Sequence, residues 1–327
     1  MKQAKEVWTH RIKKGTFGGT NLRVVGETVA LHVRGNAGPS LRALDGDGQV
    51  RWEIKDDGIP SFRAANGVLY VDGRRALRVS PATGEILTER DFGRSVLLNW
   101  MPAGRPVVAV DRFTRLIGLD PEGLSTLWEW PDPEKSFTAD RPGQLCGYDS
   151  TLGLRIVDLS TMTERAVPAP GFSAMGLHGH VDDLWCEFAM QQGGRLGIDL
   201  NTGEVVWRSE IPAGYGLTVF HEDLAISNAD GLVAYDMRTG EEVWRQRFGF
   251  RRGGVAAAPR VVDGRLYVGT TEGCVHVVDC RTGRVELTHK VSVRLSGLGI
   301  EPSPVVPMGD DRLVVGMRTA VVCLEIS

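Results

Sequence analysis

The densest group of side chains that could do chemistry lies near the middle of the chain. His178 and His180 stand two residues apart and are followed by Asp182, Asp183 and Cys186. Residues two apart on a strand face the same side of a sheet, so both imidazoles could reach one metal ion. The glycine between them, and the Val-Asp-Asp that follows, favour a polar loop instead. His178 and His180 are therefore weak candidates for metal ligands.

A second acidic group, Asp45-Gly46-Asp47-Gly48, resembles part of a calcium-binding loop. It lacks the full set of spaced carboxylates and the closing glutamate that such a loop needs. It also falls where the rest of the chain repeats a turn, so we interpret it as a turn. The sequence contains no Ser-His-Asp pattern, nucleophile elbow or glycine-rich phosphate loop, and no catalytic residue is predicted.

The five cysteines are candidates for redox or metal chemistry by residue type alone. They are Cys146, Cys186, Cys274, Cys280 and Cys323. Their number is odd, none belongs to a Cys-X-X-Cys pair, and each falls in or beside an apolar run. This pattern indicates small core residues in a reducing compartment.

The elements that must position these groups are revealed by a turn that recurs between two apolar runs. The repeated turn residues are Gly48, Gly84, Gly123, Thr161, Gly203, Gly240 and Gly283. They are spaced by 36 to 43 residues, close to the period of about 40 to 45 residues that is typical of a four-stranded propeller blade. The apolar runs are rich in Val, Leu and Ile, as expected for strands packed on both faces.

The two ends of the chain complete the repeat. The C-terminus supplies apolar runs at residues 312–317 and 320–326 and stops where the next turn should be. A strand at about residues 5–12 resembles the outer strands of the repeat and is predicted to complete the blade of residues 292–327. The sequence therefore predicts an all-β fold, with residues 1–327 forming a single eight-bladed β-propeller of four-stranded antiparallel blades.

Each blade carries a version of the motif Ala-X-Asp-X-X-Thr-Gly-X-X-X-Trp, which Ala234, Asp236, Thr239, Gly240 and Trp244 match in full. The motif resembles the pyrroloquinoline-quinone-like (PQQ-like) β-propeller repeat. Two blades depart from it, with a serine in place of the aspartate in one and a methionine in place of the glycine in another. The resemblance implies that the outer-strand tryptophans dock between adjacent blades; these are Trp8, Trp52, Trp128, Trp207 and Trp244.

The same resemblance raises the alternative of a PQQ-dependent dehydrogenase. Such enzymes are nearly twice as long and exported, and they often carry an adjacent cysteine pair beside the cofactor, a bound calcium and a catalytic aspartate. Here the closest cysteines are Cys274 and Cys280, and no c-type haem attachment motif is present. We therefore expect a member of the non-catalytic branch of the family, with no enzyme activity and no cofactor.

The loops that join each outer strand to the next inner strand are predicted to share one face, and they carry arginines and aromatic residues. Arginine, tryptophan and tyrosine are common in the energetic centres of protein interfaces. The predicted partner-binding residues are Arg63, Arg94, Trp100, His178, Tyr215, His221, Arg251, Arg252 and Arg294. Ordinary solvated loop residues remain the alternative for any one of them.

Charge and hydropathy narrow the class of partner. The chain has 38 Lys and Arg residues against 41 Asp and Glu residues, a formal net charge of -3. This gives no bulk attraction to nucleic acid, and no apolar run is long enough for membrane insertion. The first residues lack the apolar segment of a signal peptide, so a cytoplasmic location is expected, or a periplasmic one if a leader is missing.

These observations predict a non-catalytic scaffold or adaptor that binds a protein in a bacterial complex. The first alternative is a binder of a small molecule or anion in the central channel, at the relic of a quinoprotein site. The second is the PQQ-dependent dehydrogenase-like enzyme.

Overall fold

The structure is a computed structural model of the whole chain. It describes residues 3–12, 15–35, 38–55, 61–99, 107–111, 115–130, 137–141, 143–149, 153–167, 176–189, 194–209, 218–228, 231–248, 259–270, 273–291, 304–317 and 320–327. All regular secondary structure in these ranges is β-strand. Within the same ranges, no helix has the length and hydropathy that a membrane span requires.

The first part of the chain forms twelve strands. They are β1 (Ala4–Arg11), β2 (Gly15–Val25), β3 (Thr28–Gly35), β4 (Gly38–Leu44), β5 (Val50–Lys55), β6 (Phe62–Ala65), β7 (Val68–Val71), β8 (Gly73–Val79), β9 (Ile86–Asn99), β10 (Val107–Asp111), β11 (Arg115–Leu119) and β12 (Thr126–Trp130). Strands β2 to β5 pair in chain order as a four-stranded antiparallel sheet.

The middle of the chain forms sixteen strands in four antiparallel sheets, each of four strands in chain order. They are β13 (Phe137–Arg141), β14 (Gln144–Asp149), β15 (Gly153–Asp158), β16 (Thr163–Val167), β17 (Gly176–Val181), β18 (Leu184–Ala189), β19 (Arg195–Asp199), β20 (Val205–Ser209), β21 (Thr218–His221), β22 (Leu224–Asn228), β23 (Leu232–Asp236), β24 (Glu242–Gln246), β25 (Arg260–Val262), β26 (Arg265–Gly269), β27 (Cys274–Asp279) and β28 (Val285–Lys290).

The two ends of the chain meet in one sheet. The last strands are β29 (Val305–Met308), β30 (Arg312–Met317) and β31 (Ala320–Ile326), and the sheet order is β1-β31-β30-β29. The pairing of β1 with β31 is antiparallel and runs from Ala4 opposite Ile326 to Arg11 opposite Ala320. The N-terminal strand is therefore the outer strand of the C-terminal sheet.

One sheet differs from the predicted four-stranded pattern, because strands β6 to β12 form a seven-stranded sheet. Strand β9 continues through Gly93, whose amide donates a hydrogen bond of 2.6 Å to Asp91 Oδ1. Its first half pairs with β8, and its last residues pair with β10, with Leu98 opposite Ala109. The described residues therefore form six four-stranded sheets and one seven-stranded sheet.

The repeated turn is stabilised by its own side chains. Asp199 Oδ1 accepts hydrogen bonds of 2.8 Å from the amides of Asn201 and Thr202, and Thr202 Oγ1 accepts one from Glu204. These bonds to the ionised carboxylate lower the pKa of Asp199 below its ordinary value. Gly203 closes the turn with φ +78°, a conformation that costs glycine little. The motif therefore reflects local hydrogen bonding.

In the turn after β11, the prediction that Gly123 is the repeated turn residue is wrong. Gly123 has no left-handed conformation; Leu124 instead has φ +55° and donates its amide to Asp120 O at 2.9 Å. Gly240 bonds to Asp236 O in the same way, so Leu124 is the equivalent of the other turn glycines. Leu124 is fully buried in the core, which explains how an aliphatic residue is held there.

The chain divides into two compact units. Unit 1 comprises residues 1–134, 272–275 and 287–327, and unit 2 comprises residues 135–271 and 276–286. In each unit the core consists mainly of aliphatic side chains, which lie between sheets that follow each other along the chain. In unit 1, for example, Leu41 of β4 lies in one buried cluster with Val79 of β8.

Candidate functional site

In unit 1, outer-strand tryptophans contact the turn of the sheet that follows. Trp52 Nε1 donates a hydrogen bond of 2.8 Å to Pro81 O, and its indole lies against Gly84 so closely that a Cβ there would be 2.7 Å from the ring. Trp8 makes the same arrangement with Gly46 O at 2.7 Å and with Gly48. Glycine is therefore favoured at this turn position for two reasons: its positive φ and the close contact with the docked indole.

Unit 2 repeats this contact twice. Trp207 Nε1 donates to Met237 O at 2.9 Å, and its ring lies on Gly240. Trp244 Nε1 donates to Cys280 O at 2.9 Å, and a Cβ on Gly283 would be 2.6 Å from its ring. Each indole thus satisfies its one donor while its ring covers the neighbouring turn.

Where the outer strand lacks tryptophan, polar side chains reach the next turn. Thr88 Oγ1 donates a hydrogen bond of 3.0 Å to Glu122 O, and Arg90 Nη1 donates one of 2.9 Å to Leu124 O.

Trp128 lies over Gly118, its cross-strand neighbour in the same sheet. The first position of the repeat motif is alanine or glycine because it lies opposite the tryptophan of the outer strand. Ala43, Gly197 and Ala234 also pair with tryptophans.

The predicted partner-binding residues fall mostly outside the described part of the chain. The residues outside it are Trp100, Tyr215, Arg251, Arg252 and Arg294. The other four lie in strands, whereas loops were predicted. Arg94 lies inside the continuous strand β9, and His178 is the third residue of β17. Burial raises the pKa of Asp72 above its ordinary value, and the positive charge of nearby Arg63, in β6, offsets part of this rise.

His221 requires a correction of position. It is the last residue of β21, pairs with Leu224 and lies 3.9 Å from Glu222 Oε1. This is the end of the strand next to the hairpin turn, and the loop that follows β20 enters at the other end. The sequence pattern misplaced His221 because the inner strand is only four residues long.

Comparisons with known proteins agree with this architecture. Residues 192–327 match the family model described as outer membrane protein assembly factor BamB. The crystal structure of BamB from Moraxella catarrhalis has a TM-score of 0.61 at 17% sequence identity, covering 99% of this chain and 100% of that chain. The computationally designed Ika8 protein has a TM-score of 0.69 at 15% identity, covering 97% and 99%. Residues 192–327 resemble the PQQ-like repeat family, and the chain has the fold of a β-propeller.

The recognition of the PQQ-like repeat is thereby confirmed, and so is an all-β propeller fold of four-stranded antiparallel blades. At these identities the solved structures show the fold alone. No curated protein sequence matches the chain.

The family name raises the question of a quinone cofactor and its metal, which the described residues fit poorly. Among them, no three His, Cys, Asp or Glu side chains are grouped for metal binding. Cys186 pairs with Gly179, whereas His180 pairs with Trp185 on the opposite face of the hairpin. Asp182, in the following turn, forms an ion pair with Arg238. Among the described side chains, no metal-binding group forms around His180, and both weak metal candidates lie in β17 rather than in the predicted polar loop.

The cysteines of this propeller are packing residues. None of the five forms a disulfide, and all but Cys274 are buried. Burial raises the pKa of Cys280 to about 12 and that of Cys323 to about 11, so neither thiol ionises near neutral pH. An unionised thiol is a poor nucleophile and a poor metal ligand.

A groove of about 360 Å³ in unit 2 contains residues that the sequence did not single out. It lies between the outer parts of the β17–β20 and β21–β24 sheets. Its lining residues are Arg195, Trp207, Arg208, Ser209, Tyr235, Thr239, Gly240, Glu241, Glu242 and Arg245. The sequence does contain a signal for this groove: Arg195 and Tyr235 stand at repeat positions that are aliphatic in the other blades.

Proposed function

We propose that this chain is a non-catalytic scaffold that binds a protein partner within a bacterial complex. The observation that supports the proposal is the match of residues 192–327 to the BamB family model, which is described as an assembly factor. Within that segment, Trp207 and Trp244 tie successive sheets together, which would hold exposed loops in fixed positions. A preorganised surface reduces the entropy lost when a partner binds.

The absence of enzyme activity belongs to the same proposal. It is supported by the high thiol pKa values of Cys280 and Cys323 and by the use of the turn aspartates as hydrogen-bond acceptors for backbone amides. The test is dye-linked alcohol and sugar oxidation with added quinone and calcium. Turnover that depends on both additives would contradict the proposal.

We also propose that the propeller has eight blades. The support is the double pairing of β9, which serves as the outer strand beside β8 and as the inner strand beside β10. With this shared strand, the seven-stranded sheet supplies two blades in addition to the six four-stranded sheets. A crystal structure that shows another number of radial sheets would overturn the count.

The partner-binding face is tested by charge reversal in the full-length protein. Affinity-tagged protein is purified from its native organism and its partners are quantified by mass spectrometry. The variant Arg251→Glu with Arg252→Glu should lose the main partner. The control Arg284→Glu with Lys290→Glu makes the same change of charge at exposed positions and should retain it. Retention of every partner by the first variant would show that the face is wrong, and capture of no partner by the wild type would contradict the scaffold.

Two further predictions concern alternatives and location. The alternative of a channel ligand predicts a thermal shift with anions or quinones, because a ligand of the native state stabilises it. A cytoplasmic location predicts that the protein fractionates with cytoplasmic markers, whereas release with the periplasm would contradict it.

A further inference from the structure

Within each unit, successive copies of the repeat contact each other through a recurring aliphatic pair. One member lies four residues before the aspartate of its own turn, or the residue that replaces this aspartate. The other member lies one residue before the aspartate position of the next turn. The pairs are Leu41 with Val79, Ala76 with Leu119, Leu154 with Ile198, and Leu232 with Val278. Both members of each pair belong to one buried core cluster.

Between the β17–β20 and β21–β24 sheets this pair is Arg195 and Tyr235. The guanidinium carbon of Arg195 lies 3.6 Å from the centre of the Tyr235 ring, and Nη2 donates a hydrogen bond of 3.0 Å to Ser209 Oγ. Ser209 pairs with Arg195 across the strands, at the position that Ile54 occupies beside Leu41. Arg195, Ser209 and Tyr235 therefore place polar or aromatic side chains at three neighbouring positions that could be apolar.

This exchange is not required for packing. Arg195 is only 4% exposed, and burial lowers the pKa of its guanidinium below the ordinary value. A buried charge is costly to desolvate, and aliphatic replacements of similar volume are often as stable or more stable. Aliphatic pairs close the other interfaces of the same repeat, so packing alone does not call for an arginine at this position.

The groove above Arg195 has the charge and the shape to receive one carboxylate. Its lining holds three arginines, Arg195, Arg208 and Arg245, against two glutamates, a difference of one positive charge. One of these glutamates, Glu242, already accepts hydrogen bonds of 3.1 Å and 2.6 Å from Arg245. Trp207 adds an apolar wall, and the volume suits a side chain rather than a folded element.

We propose that this groove binds an acidic side chain, aspartate or glutamate, presented by an extended peptide segment of a protein partner. Arg195 at the floor receives the carboxylate, Arg208 at the exposed mouth attracts it, and Trp207 packs against the methylene groups. The proposal rests on the scaffold function above, since it supplies the chemistry of one contact with a partner.

The test uses full-length protein and a fluorescein-labelled peptide with one glutamate flanked by glycine and serine, followed by fluorescence anisotropy. The variant Arg195→Leu restores the aliphatic residue of the other interfaces, so it should fold with unchanged or higher stability and bind the peptide about tenfold or more weakly. Tyr235→Phe keeps the ring under the guanidinium and should retain binding. Arg284→Leu makes the same chemical change at a site with 75% side-chain exposure outside the groove and should bind normally.

Further peptides and ligands separate the sources of the carboxylate. The glutamine version of the peptide should bind about tenfold or more weakly than the glutamate version. Free glutarate should bind much more weakly than the peptide, and equal affinities would overturn the peptide as occupant. Equal affinity of Arg195→Leu and wild type for the glutamate peptide, or no binding by the wild type, would overturn the site. If the wild type still captures a partner from the native organism in that case, the scaffold function survives the failure of this inference.

Discussion

The contact between tryptophan and turn glycine predicts that two glycines with the same backbone conformation respond very differently to alanine. Gly283 and Gly264 have φ values of +69° and +70° and lie in two of the three turns of the β25–β28 sheet. A Cβ on Gly283 would be 2.6 Å from Cδ2 and 2.7 Å from Cε3 of Trp244, whereas a Cβ on Gly264 would meet nothing within 4 Å. The pair therefore separates backbone strain from the contact with the indole.

The magnitudes follow from these two effects. A left-handed conformation costs a non-glycine residue about 1–2 kcal/mol, and this cost applies to both variants. Forcing an extra methyl group against a well-packed ring adds about 1–3 kcal/mol. We expect Gly264→Ala to lower the free energy of unfolding by about 1–2 kcal/mol and Gly283→Ala to lower it by about 2–5 kcal/mol.

The assay is equilibrium unfolding in urea, followed by circular dichroism so that a change in tryptophan fluorescence does not affect the comparison. The same two glycine variants are then made in a Trp244→Leu background. Without the indole the difference between them should fall below about 1 kcal/mol, because the coupling between contacting residues is lost. Equal destabilisation by the two variants in the wild-type background, or a difference that persists without Trp244, would refute the docking argument.

Three further predictions test other parts of the structure. Trp207→Phe should lower the free energy of unfolding by about 1 kcal/mol, because Met237 O loses the indole donor; an unchanged urea midpoint would contradict this. Burial lowers the pKa of His276 from 6.5 to about 4, so the unfolded chain binds a proton that the native state refuses between these pH values. Stability should fall by up to about 3 kcal/mol as the pH falls through this window, and His276→Phe should reduce the slope. In a thiol titration at pH 8, only half-buried Cys274 should react readily in the native protein, and rapid reaction of Cys280 would contradict the burial argument.

The candidate sites were predictable only in part. The docking tryptophans could be named because the family motif repeats at each turn. The partner-binding residues were harder, since an arginine or histidine between two apolar runs does not reveal where the strand ends. Arg94 and His178 lie inside strands, and His221 lies beside a hairpin turn. Strand ends depend on pairing with the neighbouring strand, which a linear pattern does not contain.

The sequence by itself determined the repeat, the strands and the turns of this protein. These features depend on contacts within a few residues, such as the amides of Asn201 and Thr202 that bond to Asp199. Only the tertiary structure decided that Leu124 takes the place of a turn glycine, that β9 belongs to two halves of one sheet, and that Arg195 lies on the ring of Tyr235. The physical reason is that each of these depends on burial or pairing with residues distant in the chain, and those contacts exist only when the sheets have packed together.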